Sequence, residues 1–90
     1  MEATHNIKLR KEFCDAVLSG DESFEIREND RGYQKGDLVT FIPVDSLGLP
    51  VYHPIENALY EITYVLSGFG LKNGFVALAI SKIPLERKVE

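Results

Sequence analysis

Apolar and polar positions alternate in short runs along most of this chain, and the period changes only once. Residues 6–9 (NIKL) alternate polar with apolar, which predicts a first strand. Over 10–19 (RKEFCDAVLS) the spacing becomes helical: Phe13, Ala16 and Val17 share one face, with Cys14 and Leu18 beside them. Gly20 follows where a C-cap glycine ends a helix in the left-handed conformation. Period two returns at Ser23-Phe24-Glu25-Ile26-Arg27. As a strand, this segment is expected to bury Phe24 and Ile26 and to turn Glu25 and Arg27 to the opposite face. Asn29-Asp30-Arg31-Gly32 has turn chemistry, and Gly36-Asp37 opens the next strand.

Residues 38–42 (LVTFI) are β-branched and aromatic, a strand apolar on both faces. Residues 43–57 hold three of the four prolines and Gly48, and form the longest irregular stretch. Residues 58–66 (ALYEITYVL) set Tyr60, Ile62, Tyr64 and Leu66 along one side of a strand, and 75–83 (FVALAISKI) make the last one. Strands that follow one another with mostly non-helical connections argue against a doubly wound parallel sheet. A small mixed or antiparallel barrel with one early helix fits the order better.

Ninety residues make one small domain, 1–90, with its core at about 5–83. Forty-four per cent hydrophobic and 27% charged residues are ordinary globular composition and argue against disorder. No apolar run reaches the roughly 18 residues of a membrane span, so no membrane partner is expected. The first residues, MEATHNIKLRKEF, have no apolar core of a secretory signal. Cys14 is the single cysteine and has no partner for an internal disulfide, which fits a reducing, cytoplasmic setting.

Ten Lys and Arg against fourteen Asp and Glu give a formal net charge of −4. Seven of the acids (Glu12, Asp15, Asp21, Glu22, Glu25, Glu28 and Asp30) fall within nineteen residues, where only Arg27 opposes them. Non-specific affinity for nucleic acid comes from neutralised phosphates. Non-specific binding of duplex DNA is therefore not expected, and any nucleic-acid reading must rest on a local pocket.

His5, Cys14 and His53 lack the close pairing of a structural zinc site, so neither metal nor cofactor is expected. Cys14 lies in the helical apolar pattern and reads as a core thiol. Gly68-Phe69-Gly70 and Gly74 have neither dinucleotide-binding nor P-loop spacing and precede a strand; they read as a hairpin loop with Phe69 at its tip. Glu25 and Arg27, two apart in a strand, project to one face. They read either as a solvated ion pair or as a pocket where an Arg fork and a carboxylate meet a polar ligand.

The His-x-x-Lys at His5–Lys8, the segment LSGDESFEIRENDRGYQKGD and the segment EITYVLSGFGLKNGFVALAI together resemble the DUF3850 family, from about His5 to Ile83. That is a small bacterial and phage group in the ASCH clan of PUA-like domains. The matching positions include Gly20, Phe24, Glu25, Arg27, Asn29, Asp30, Arg31, Gly36 and Asp37. The resemblance implies a small PUA-like (ASCH-type) α+β barrel of about five to six mixed strands with one early flanking helix. It also implies a cleft beside this motif that binds RNA or a nucleotide-like ligand, with Glu25, Arg27, Asn29, Asp30 and Arg31 as ligand-binding residues. The family and its ASCH relatives usually carry Lys two residues after the glycine, where this chain has Glu22. Some relatives resemble amidohydrolases of acetylated cytidine that use this Lys with a Thr three residues later, a position held here by Glu25. A Glu does not replace Lys as an activated amine, so no catalytic residue is carried over. Binding is the function expected. The alternatives are a hydrolase acting on a modified nucleoside or RNA, and a phage or host protein-interaction module using the acidic 12–30 surface or the 43–57 loop.

Overall fold

A computed structural model describes residues 3–84. Strand β1 (Thr4–Arg10) runs into helix α1 (Lys11–Ser19), followed by β2 (Phe24–Glu28), β3 (Leu38–Val44), a 3-10 turn (Pro54–Asn57), β4 (Leu59–Ser67) and β5 (Phe75–Ile83). Every predicted element is present, with its ends moved by a residue or two. Gly20 ends α1 as expected: at φ 90° it takes the left-handed conformation and its amide donates to Val17 O.

The strands form one mixed sheet in the order β1-β3-β4-β5-β2. β1 lies parallel to β3, and the other pairs are antiparallel. The fold is thus a small α+β unit, but the expected barrel is not closed. β1 and β2 are the two edges of the sheet, with no backbone ladder between them. The gap is crossed by side chains. Arg27 Nη1 donates to the carbonyl of Lys8 at 2.9 Å, and Arg31 Nη1 donates to the carbonyl of Asn6 at 3.1 Å. Those carbonyls are two residues apart on one strand and so project from the same edge. With only five residues in β2, the guanidinium groups stand in for the fifth ladder that would close the sheet.

The core lies on the inner face of the curved sheet. His5, Ile7 and Leu9 of β1, Val39 and Phe41 of β3, Tyr60 and Ile62 of β4 and Val76, Leu78 and Ile80 of β5 are all buried. Cys14 and Val17 of α1 close one end, and Ile55 of the 3-10 turn closes another part of it. His53 caps that turn by accepting from the Ile55 amide at Nδ1, while its Nε2 meets Asp15 of α1 at 2.8 Å. Its tautomer is thereby fixed, with the proton on Nε2. Among the described residues no helix is long and apolar enough to cross a membrane.

One expectation is reversed. Phe24 and Ile26 are 49% and 51% exposed, whereas the side chains of Glu25 and Arg27 are only 12% and 25% exposed. The register explains why. Glu25 is opposite Leu78 and Arg27 is opposite Val76, and opposed residues of an antiparallel pair share a face. Leu78 and Val76 are core residues, so the charged pair faces inward and the apolar pair faces out. Because β5 is apolar on both faces, its pattern alone does not say which side of β2 meets the core.

Candidate functional site

The open seam between β1 and β2 is a cleft of about 350 Å³, walled by Lys8, Arg10, Phe13, Glu25, Arg27 and Phe75. A smaller hollow of about 220 Å³ continues from it and adds Glu22 and Phe24. β1 supplies Lys8 and Arg10 from its polar face, because the buried positions of that strand are His5, Ile7 and Leu9. Phe13 reaches the cleft from the first turns of α1 and stays 46% exposed.

Arg27 Nη1 donates to Glu25 Oε2 at 2.9 Å as well as to Lys8 O. A guanidinium has five N–H donors in one plane, so further donors face whatever enters the cleft. Burial pushes the Glu25 carboxyl above its usual range; Arg27 opposes that shift and the nearby Glu22 adds to it. A carboxyl shifted by burial beside a specific charged partner is a common feature of functional sites. Tyr33, also pushed up by burial, senses both Arg27 and Arg31.

The five expected ligand-binding residues do not form one site. Glu25 and Arg27 share the cleft. Arg31 spans the same seam farther along β1, at Asn6 O. Asn29 serves the turn: its Oδ1 accepts from the Tyr33 amide at 3.0 Å, and its own amide donates to Gly74 O at 2.9 Å. It lines a separate hollow of about 470 Å³ at the glycine-rich loop, with Ser67, Gly68, Lys72 and Gly74. Asp30 is exposed on the turn, where its amide donates to Glu28 O. The loop itself joins two antiparallel strands, as a hairpin, and carries Phe69 at φ 52° and 90% exposure.

Sequence reasoning missed Lys8, Arg10 and Phe13 as cleft residues. The alternation of β1 marked the first two as facing away from the core. Their nearness to β2 depends on the curl of the sheet, which alternation does not encode. His5 and Asp37, both within matching motifs, serve the scaffold. His5 Nε2 and Asp37 Oδ2 are 2.8 Å apart and buried, the His5 ring packs 4.7 Å from that of Tyr33, and Asp37 also accepts from the amides of Ala3 and Gln34. Burial would raise the Asp37 carboxyl, but these hydrogen bonds prevail and hold it below its ordinary value. His5, Cys14 and His53 do not come together: His5 holds Asp37, Cys14 is buried against the end of β1, and His53 holds Asp15.

A family model described as a domain of unknown function, DUF3850, matches residues 4–80 of this chain. No curated protein matches it.

Proposed function

The chain belongs to the DUF3850 family, and from that premise we propose that it is a PUA-like domain of the ASCH type that binds RNA or a nucleotide-like ligand in the β1–β2 cleft. The observation that carries this reading is the inward-facing Glu25–Arg27 pair at the floor of an open cleft of about 350 Å³. That volume lies within the ~300–1,000 Å³ range of small-molecule sites. Arg27 offers planar donors to a phosphate or to the carbonyl edge of a base, and Glu25 accepts from an exocyclic amino group. Phe13 supplies a surface for a base to stack on, and Lys8 on the cleft wall offers a charge to a phosphate. A cleft of mixed charge, with Lys8, Arg10 and Arg27 beside Glu25 and Glu28, on a chain of net charge −4 favours a short or single nucleotide over a long duplex. The single, buried Cys14 accords with a cytoplasmic setting.

Titration of nucleosides, nucleotides and short single-stranded RNAs against labelled protein tests the reading. Saturable binding that weakens in Arg27→Lys supports it. Absence of binding to every member of the series, or equal affinity in wild type and variant, overturns it. Following the same mixtures for product separates binding from hydrolysis.

A further inference from the structure

The outer face of the sheet, turned away from the core, is apolar at its centre across β2, β5 and β4, with Glu28 in the row of Phe75 and Glu61 in the row of Ser81 at its two ends. β5 reads FVALAI over 75–80 without polar alternation, the pattern of a strand covered on both sides. Its inner residues are in the core, but its outer residues Ala77 and Ala79 are only half-buried, and among the described residues no layer packs over them. The register sets Phe24 and Tyr64 on either side of Ala79, and Ile26 and Leu66 on either side of Ala77. Phe24, Ile26 and Tyr64 are 49%, 51% and 59% exposed. Large side chains thus flank a floor of alanines.

We propose that this face is a dimer interface, on which two copies of the chain pack sheet to sheet about a two-fold axis running across the strands between the Ala77 and Ala79 rows. Two observations select a second copy as the occupant. The first is charge. Exposed Glu61 lies in the row of Ser81, three residues from the axis along β5. Lys72 Nζ stands 5.6 Å from the centre of the Phe75 ring, three residues from the axis the other way. The two-fold operation brings Glu61 against Lys72 of the partner subunit, twice, while the apolar centre carries no charge. It also sets Phe24 over Ile26 of the partner subunit and Tyr64 over Leu66 of the partner subunit.

The second observation is area. Two aromatic and two aliphatic side chains with the alanine floor expose on the order of 450 Å² per copy, so a dimer covers roughly 900 Å² before its rim is counted. That is close to the ~1,000 Å² that a specific, weak interface needs. Phe24 and Ile26 alternate along β2 with Glu25 and Arg27, so the second copy braces from behind the edge strand whose inner face lines the cleft. Ile26 also lines the cleft and Phe24 the hollow beside it, so the second copy covers part of the outer rim of that site.

Sedimentation equilibrium of the full chain over a micromolar-to-millimolar series tests the proposal. The wild-type mass is expected to rise from one chain toward two. Ala77→Glu places two like charges in the centre and should weaken association by about tenfold or more, with a thermal melt confirming the fold; Tyr64→Ser serves if that variant does not fold. Glu61→Lys and Lys72→Glu should each weaken association several-fold, and the two combined should restore it. A wild-type mass of one chain throughout overturns the proposal, as does undiminished association in Ala77→Glu and Tyr64→Ser. A combined charge swap that fails to recover association overturns the antiparallel arrangement. Wild type that stays single but sediments with lipid vesicles assigns the face to another occupant and likewise overturns it.

Discussion

Arg27 reaches across the open seam to the backbone of Lys8, its Nη1 lying 2.9 Å from that carbonyl oxygen. The sheet therefore closes through a side chain where a barrel would use a ladder. The same guanidinium holds Glu25. One residue thus joins the geometry of the cleft to the closure of the fold, and substitutions there affect both.

Arg27→Lys retains the charge but loses the planar fork that spans Lys8 O and Glu25. Affinity for a base or phosphate is expected to fall by roughly 1–3 kcal/mol, and stability by about 1 kcal/mol, the usual net value of a hydrogen bond. Arg31→Lys is the control. It loosens the seam at Asn6 O but leaves the Glu25–Arg27 pair in place. A comparable loss of stability with unchanged ligand affinity is expected, read by denaturant unfolding beside the binding titration. Equal loss of affinity in both variants would assign the effect to seam closure and not to contact with the ligand.

Phe24→Ala should be mild. Its side chain is 49% exposed, so truncation removes only part of the burial of a core phenylalanine and is expected to cost about 1 kcal/mol. Leu78, fully buried on the other face of the same sheet, should cost about 2–5 kcal/mol when cut to alanine. Thermal or denaturant melts of the two variants at low concentration check the order. A Phe24→Ala cost equal to that of Leu78→Ala would mean that the register of β2 is wrong.

The elements were legible because each carries its own period: helical at Phe13, Ala16 and Val17, period two around Phe24, continuous apolar runs for β3 and β5. What alternation left open is the sign of a face. For β1 the buried set, His5, Ile7 and Leu9, followed hydrophobicity. For β2 the more apolar set, Phe24 and Ile26, faces out, because the inner positions lie at the seam, where polar groups meet free edge carbonyls. The site was legible to the same extent. The Glu25–Arg27 pair was evident from spacing two, whereas Lys8, Arg10 and Phe13 join it only through the curl that brings β1 to β2. Asn29 and Arg31 sit in the same motif, yet one caps a turn and the other braces the seam.

Asp37 should govern the acid limb of stability. Its carboxyl, hydrogen-bonded by His5 and by the amides of Ala3 and Gln34, has a folded pKa below the ordinary 3.8. A depressed folded value contributes stability that is present in full above the unfolded pKa and is lost as pH falls through the folded one. Unfolding free energy measured from pH 6 down to pH 2 should therefore drop most steeply below about 4 in wild type. Asp37→Asn should be less stable at neutral pH and show a shallower drop. Parallel curves for the two proteins would remove Asp37 from the acid transition.

Random duplex DNA should be retained poorly at about 0.15 M salt, since few phosphates are neutralised by a chain of net charge −4. Lys8 and Arg10 border one cleft and do not form a stripe, and Arg10 is itself paired with Glu12 at 2.6 Å. Tight, sequence-independent retention in a filter or polarisation assay would reveal a basic surface that this arrangement does not provide.

Glu25 gives the opposite pH signature to Asp37. Burial outweighs Arg27 and sets its folded pKa above the model-peptide value of 4.5. Between 4.5 and that higher value the native state keeps a proton that the unfolded chain has released, so this contribution to stability falls as pH rises through the window. Glu25→Gln removes the titration. Wild type and variant should have similar stability in acid, where Glu25 is neutral in both states, and the variant should gain relative to wild type as pH approaches 7. Ligand affinity should move the other way, because Gln accepts more weakly than a carboxylate from an amino group or from Arg27. A protein that becomes more stable and binds less well on the same substitution is the mark of a charge kept in place for function. If Glu25→Gln instead lowers stability at pH 7 beyond its effect in acid, the ion pair is a net stabiliser and the carboxyl belongs to the scaffold. If stability rises and affinity is unchanged, the ligand does not touch Glu25.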